Sequence, residues 1–450
     1  MWDAFTIQYT TYARTTSTTH MKTVQQVWEQ LQERGYIYRG TYSGWYCRDD
    51  ETFVPQSKIY QNSHGTYCTQ ETQRPVEKLD ESTFFFKITA LRQRLEDWLN
   101  SAETNIVPAS YRTTMLSSLA DMEDVSISRP SSRVGWGIPV PNSPTDTIYV
   151  WFDALCVYFN THFVESGGRT GVWPPTLQIL GKDIVRFHCL LWPAILLALQ
   201  VPLPTNIHIH GHWLVDNVKM SKSLNNVLDP ALLVRHLRHV DTVRYALVAF
   251  GHSKFTDMSF NPHCVVHRLN SDLANNLGNL LMRLTSSALL PIPRLPSYEE
   301  LHSLRDEEEA SDTRIRVVLE GVYDRVATSY KNVEPEDAIH TAMNALTEIN
   351  QYINQQEPWK ATAGRRQIVV WYSLEGVRIV LGTLYPIMPT KTIELLTQLG
   401  ITNFCDVCRK QQFKEFCGFN TRHADSTVPQ TVHRFDRNVS PFTKVHTFDV

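Results

Sequence analysis

The sequence predicts an α/β fold with a doubly wound sheet, carrying a small insertion and followed by an all-α helix bundle. Two observations predict it. In the first half, Leu177-Gln178-Ile179-Leu180 reads as a buried strand, running through Gly181 into a helix opened by Asp183 and covering Ile184 to Leu199. Strand–glycine–helix is the grammar of a doubly wound sheet, which binds ligands at the carboxyl ends of its strands. In the second half the pattern is all helix. Asp229-Pro230 and Asn261-Pro262 each place a capping side chain before proline at the first helical position, and Glu334-Pro335 opens a third helix.

In chain order, Val24, Val27, Trp28 and Leu31 share one face of a helix near Thr23–Leu31. Tyr36 to Cys47 reads as strand, Ser43-Gly44 turn, strand, and Phe84 to Ile88 as another strand. Thr89 is placed to cap a helix bearing Leu91, Leu95, Trp98 and Leu99. These elements form the insertion, at about 36–100. A polar, proline-bearing connection, Ser126 to Thr147, precedes Ile148-Tyr149-Val150-Trp151-Phe152, a buried strand by composition. The alternation from Ile207 to Val215 reads as a strand, and Asp216-Asn217 as a turn. Asn261 opens a long helix to about Leu290, with Leu269, Leu273, Leu277, Leu280 and Leu284 inward and Asn275, Asn279 and Arg283 on another face. Ala338, Ala342, Leu346, Ile349 and Ile353 line the core side of the helix after Glu334, and Val369 to Pro386 is a further apolar helix.

At 450 residues the chain has room for two to three domains. Its net charge of −3 argues against a general polyanion binder. Positive charge is in excess between Ala231 and Leu290, so nucleic-acid contact is expected to be local. The longest apolar run, Cys189 to Val201, is broken by Pro193 and too short to span a bilayer. Most of the eight cysteines are scattered singly, the pattern of free thiols in a reducing compartment. Cys405-x-x-Cys408, with Cys417 and His423, has loose zinc-ligand spacing, and His208, His210 and His212 share strand parity. Neither set has the regular spacing of four ligands, so no metal site is expected.

The richest stretch chemically is Lys219-Met220-Ser221-Lys222-Ser223. Two ammonium groups and two hydroxyls on a loop after a strand suit anionic oxygens. A solvated lysine loop is the bland alternative for any K-x-x-K pair. Further motifs accompany it: Tyr149-Val150-Trp151-Phe152-Asp153-Ala154-Leu155 with Tyr158, Gly181-Lys182-Asp183-Ile184-Val185-Arg186-Phe187-His188 with Trp192-Pro193, and His210-Gly211. Ser126-Ile127-Ser128-Arg129, Gly135-Trp136-Gly137-Ile138-Pro139-Val140 and Glu357-Pro358-Trp359-Lys360 complete the set. Together they resemble the methionyl-tRNA synthetases, class I aminoacyl-tRNA synthetases of bacterial or organellar type, from Met1 to about Gly400.

The resemblance implies a partial Rossmann-type catalytic domain over 1–228, an anticodon-binding helix bundle over 229–400 and a divergent tail over 401–450. It implies ATP-dependent activation of methionine and its transfer to tRNA(Met), with ATP and Mg²⁺ required and a monomer in the mitochondrial matrix or, alternatively, the cytoplasm. Lys219 and Lys222 are the implied catalytic residues. His210, Gly211, Met220, Ser221, Ser223 and Arg129 are implied at ATP. Trp151, Ala154, Tyr158, Asp183 and His188 are implied at methionine, whose polarizable sulfur suits aromatic surroundings. Trp359, with Asn275, Asn279 and Arg283, is implied at the anticodon, where stacking and edge hydrogen bonds read unpaired bases. Taken singly, Trp151 also fits a core tryptophan and His188 a helix histidine satisfied by backbone.

Two departures shape the expectations. The family opens with a His-x-Gly-His segment that binds ATP, and this sequence has none. The expectation is therefore an N-terminally truncated form that does not activate methionine alone, with a catalytically inactive tRNA-binding remnant as the alternative. Some relatives carry four clustered cysteines in the insertion, whereas only Cys47 and Cys68 occur between Tyr36 and Lys78, so no zinc knuckle is expected. A synthetase for another aliphatic amino acid would need a large editing insertion, for which Asp153 to Lys219 leaves no room.

Overall fold

The computed structural model describes residues 1–49, 52–54, 56–70, 72–159, 173–221, 224–251, 256–294, 303–402, 404–410, 412–417, 441–446 and 448. They form two compact units, one of Thr10–Ile209 and one of Met1–Tyr9 with His210–Val450.

In the first unit the opening helix is Thr18–Glu33, with the Ser17 side chain accepting from the His20 N–H at its start. Val24, Val27, Trp28 and Leu31 are buried as the periodicity predicts. Trp28 meets Phe84 and Phe152 edge-on, both at 5.5 Å between ring centres. Such contacts add to the area term of a buried indole. A three-stranded sheet has Asn206–His210 at its centre, between Gln178–Gly181 and Asn105–Val107. Ile207 pairs with Ile106 in parallel. Ala109–Ala120 follows one edge strand and the helical stretch to Leu199 follows the other, as a doubly wound sheet requires.

The insertion is a long antiparallel pair. Ile37–Cys47 runs unbroken beside Glu77–Phe86, with Ser43 opposite Asp80 and Gly44 opposite Leu79. The expected Ser43-Gly44 turn is therefore wrong: neither residue has a positive φ, and ten ladder positions outweigh one glycine. Thr89 does not cap a helix either. It lies in the 3₁₀ turn Ile88–Leu91, its hydroxyl donates to Asp124 at 2.7 Å, and Arg92–Asn100 starts behind it. Cys47 is buried with Val54 and Val76 in a small core of the insertion.

Ile148 to Phe152 is not one strand. Ser143–Ile148 is a strand, Tyr149 is extended, and Val150–Leu155 is a helix. A five-residue apolar run carries no period to separate the two forms. The stretch after Gly181 is also less regular than expected. Lys182–Ile184 is a 3₁₀ turn, Phe187–Leu191 a π turn in which the Trp192 N–H reaches the Phe187 carbonyl, and Trp192–Leu199 an α-helix. Pro193 lacks an N–H and crowds the carbonyl four residues back, and a π turn relieves that.

The predicted strand from Ile207 to Val215 is two strands, separated at Gly211-His212, and the later piece, Trp213–Val215, belongs to the second unit. It turns through Asp216 and Asn217, both with left-handed φ of 51° and 61°, into Val218–Lys219. Two positive φ values make the tight hairpin turn that these residue types favour. Asp229 and Asn261 cap Pro230–Leu237 and Pro262–Leu269 through the N–H groups of Ala231 and Cys264. The helix begun at Pro262 passes through a π segment, Asn270–Gly278, and ends at Leu284 rather than near Leu290. Pro335–Gln356 and Ala363–Leu384 form the middle of the bundle. Asp312 receives Arg365 and Tyr352 inside it, a buried carboxylate fully engaged by donors. No helix of the described residues is long and apolar enough to cross a membrane.

Candidate active site

In the first unit, Val150–Leu155 and the 3₁₀ turn Cys156–Phe159 bring Trp151, Ala154 and Tyr158 toward the π turn Phe187–Leu191. Trp151 stacks on Phe187 at 3.8 Å and 10°. The Tyr158 hydroxyl lies 2.7 Å from His188 Nε2, and His188 Nδ1 lies 2.9 Å from the Ile184 carbonyl. A carbonyl only accepts, so Nδ1 carries the proton and donates to it. In the neutral ring Nε2 then accepts from the Tyr158 hydroxyl. Burial lowers the His188 pKa, which keeps the ring neutral, and raises that of Tyr158, which keeps the phenol protonated. His188 is 3% exposed while Tyr158 is 40% exposed, so the pair spans from core to surface. Trp192 lies below Tyr158 at 5.5 Å. The result is an aromatic wall in which the Tyr158 hydroxyl and both His188 nitrogens are paired, suited to an uncharged, polarizable side chain.

Arg129 and Asp183 line a cavity of about 670 Å³ with Tyr149, Lys182 and Phe187. Phe187 thus faces both the cavity and Trp151, whereas Trp151, Tyr158 and His188 are not in the cavity wall. Arg129 is buried, with its guanidinium 4.4 Å above the Tyr149 ring and Nη1 donating to Ser126 Oγ and the Ser128 carbonyl. Sequence reasoning missed a neighbour of this site. His20, wholly buried on the opening helix, hydrogen-bonds Asp153 beside Trp151. The interval of 133 residues left no local signal for it.

In the second unit Lys219 ends a strand and is exposed, and Met220 and Ser221 are half-buried. Lys222 and Ser223 lie outside the described residues. Asn226 fastens the loop: its Oδ1 accepts from the Ser221 N–H at 2.7 Å and its Nδ2 donates to the Lys219 carbonyl at 3.2 Å. That residue was not singled out from sequence, although a polar amide just past a loop is a recurring way to satisfy loop backbone. His210 is exposed, with Nδ1 2.8 Å from the Gly211 carbonyl. A Cβ on Gly211 would stand 2.3 Å from the Thr256 carbonyl oxygen, so backbone approach demands glycine there. His212 lies outside the strands, and its N–H donates to Asp257 at 2.9 Å.

In the bundle, Glu357 takes a left-handed φ of 40° after Pro335–Gln356 and turns Trp359 outward, 45% exposed. The Arg283 guanidinium sits 5.6 Å from the Trp359 ring centre and donates to Asn354 Oδ1 at 2.9 Å. Asn275 and Asn279 are exposed on the same long helix, Asn275 within its π segment. The structure thus joins Arg283 to Trp359 and adds Asn354. Cys408 and His423 give no described side chains, and Cys405 is exposed.

The parallel sheet with its helices, the lysine loop behind a hairpin and the trailing bundle define a class I tRNA synthetase. Residues 1–285 match the family described as tRNA synthetases class I (M), to which the chain belongs. It is 32% identical over 425 residues to the mitochondrial methionine–tRNA ligase of Xenopus laevis, covering 92% of this chain and 74% of that one. Against the mitochondrial methionine–tRNA ligase of Homo sapiens the identity is 33% over 415 residues, with 88% and 70% covered. The fold is similar to the Mycobacterium tuberculosis methionyl-tRNA synthetase bound by methionyl-adenylate, with TM-score 0.85, 30% identity and coverage of 98% and 84%.

Proposed function

We infer that this chain is a methionine–tRNA ligase, and the aromatic wall of Trp151, Tyr158, Phe187 and His188 is the observation that carries the amino-acid choice. A long thioether gains from aromatic contact. A neutral His188 with both nitrogens paired presents no charge to it. We place Asp183 at the substrate ammonium, Arg129 at the nucleotide, and Ala154 where it leaves room for the side chain. In the first step a methionine carboxylate oxygen bonds to the α-phosphorus of ATP and the bond to pyrophosphate breaks. In the second, a hydroxyl of the terminal tRNA adenosine takes the methionyl group and AMP leaves. Lys219 and Lys222 neutralise charge gathering on the leaving phosphates, Ser221 and Ser223 add donors, and Met220 packs the loop beneath them. His210 and Gly211 serve adenine. Mg²⁺ arrives with ATP as part of that substrate.

The functional division that fits these roles is a catalytic part over 1–228 and an anticodon-binding part over 229–400, with Trp359, Arg283, Asn275 and Asn279 reading unpaired bases. The relatives named mitochondrial support a mitochondrial protein; action in the matrix and as a monomer completes the proposal. Methionine-dependent ATP–pyrophosphate exchange and methionylation of a tRNA(Met) transcript test the reading. Both are run on this chain and on the chain preceded by the amino-terminal segment of a mitochondrial relative. Exchange by either protein, specific for methionine, supports it; exchange by neither refutes it.

A further inference from the structure

The tail after residue 401 has no part in methionine activation or anticodon reading as proposed, yet some of it is built into the second unit. Phe442 and Val445 are buried in the bundle core. Asn270 clasps Val445 twice, donating to its carbonyl at 2.8 Å and accepting from its N–H at 2.9 Å. This docking carries Phe448 onto His236, whose ring it stacks against at 4.4 Å and 10°. The two rings, with Leu232, Arg235, Arg238 and His446, line an open cavity of about 380 Å³. Four of these six residues are basic or can become so, and none is acidic.

Arg235 and Arg238 are exposed at the end of Pro230–Leu237, and Arg238 has a left-handed φ of 69°. Among the described residues neither guanidinium has an acidic partner. Cations at a helix carboxyl end favour the dipole, which accounts for Arg235 on its own. It does not account for a stacked ring pair that shares one cavity wall with two guanidiniums. That combination suits a ribose-phosphate chain: planar guanidiniums grip phosphate oxygens two at a time, and aromatic and apolar surface meets sugar or base.

We propose that Arg235 and Arg238, in one cavity wall with the His236–Phe448 stack that the docked tail completes, form a second contact site for the phosphodiester backbone of the bound RNA. The site rests on the reading of the chain as a tRNA ligase and adds a contact separate from the anticodon residues. Backbone contact carries no sequence information, so the site raises affinity for cognate and non-cognate tRNA alike.

The test is fluorescence-detected binding of a tRNA(Met) transcript and a non-cognate tRNA transcript to the purified chain across a salt series. Removing two arginine–phosphate pairings lowers the slope of log K against log salt by about 1.4 to 1.8. The double variant Arg235→Gln, Arg238→Gln is expected to lose that much slope and about tenfold affinity for both transcripts at low salt, with its melting temperature unchanged. Phe448→Ala is expected to weaken binding of both transcripts with the slope intact. Trp359→Ala, the control, is expected to weaken binding at unchanged slope and more for the cognate transcript. If the double variant keeps the parent slope while Trp359→Ala weakens binding, this site is refuted and the tRNA reading stands. If no tRNA binds the parent, both fail.

Discussion

Trp359→Ala separates a recognition residue from a packing residue. The ring is 45% exposed and ends a turn set by the left-handed Glu357, so its removal opens no core cavity. What folding loses is the Arg283 contact at 5.6 Å, about 0.5–1 kcal/mol for an exposed cation–π pair. What RNA binding loses is a stacking platform, about 1–3 kcal/mol per base. That is a drop of roughly 5- to 150-fold in tRNA affinity. Arg283 stays oriented by Asn354, so Trp359→Phe, which keeps a ring, should recover most of the affinity. Affinity for a tRNA(Met) transcript and thermal unfolding are measured on the same preparations, and methionine binding is followed as a control. Unchanged tRNA affinity with a melting temperature lowered by several degrees would show that Trp359 packs the bundle.

Tyr158→Phe leaves His188 Nε2 without its donor. Water can reach the vacated place because Tyr158 is 40% exposed, so methionine affinity is expected to fall by about 1 kcal/mol, the low end for an unsatisfied buried acceptor. Burial holds the His188 pKa below its ordinary value of about 6.5. The unfolded chain then binds more protons between the two values. Stability from this residue is full above about 6.5 and is lost as pH falls through the folded pKa. His188→Gln should flatten that acid-side loss in denaturant unfolding; an unaltered pH profile would count against a buried neutral ring. In a protein competent for exchange, Lys222→Ala is expected to slow adenylate formation by roughly 10²–10³, the worth of one preorganised donor, and a rate within about threefold of the parent would remove the lysine from the chemistry. Asp312→Asn, by uncoupling a buried ion pair with Arg365, should destabilise the bundle by about 3–5 kcal/mol in urea unfolding.

Much of the fold is legible because local rules and packing agree. Asp229 and Asn261 mark helix starts, Val24 to Leu31 mark a buried face, and Asp216-Asn217 a hairpin turn. What misled is also local. Ser43-Gly44 carries turn chemistry, but partners on Glu77–Phe86 hold it straight, and pairing across the sheet is invisible in a short window. Val150 to Phe152 is apolar enough for either a strand or a buried helix. The π turns at Phe187 and Asn270 change which side chains share a face, and no periodicity rule announces them. The site divides in the same way. Motif residues such as Trp151, Tyr158 and His188 stood out by type and order. Asn226, Asn354 and the pair His20 with Asp153 act through contacts between distant or ordinary-looking positions, which only the folded chain discloses.

Amino-acid choice is the central claim, and calorimetric titration of the purified chain with L-methionine, L-leucine and L-isoleucine tests it most directly, since it needs neither ATP nor tRNA. The aromatic wall predicts methionine binding at least about tenfold tighter than either branched competitor, the scale on which apolar pockets discriminate. It also predicts a methionine affinity that falls in Tyr158→Phe. Leucine or isoleucine binding as tightly as methionine would contradict the assignment of Trp151, Tyr158, Phe187 and His188 to the methionine side chain.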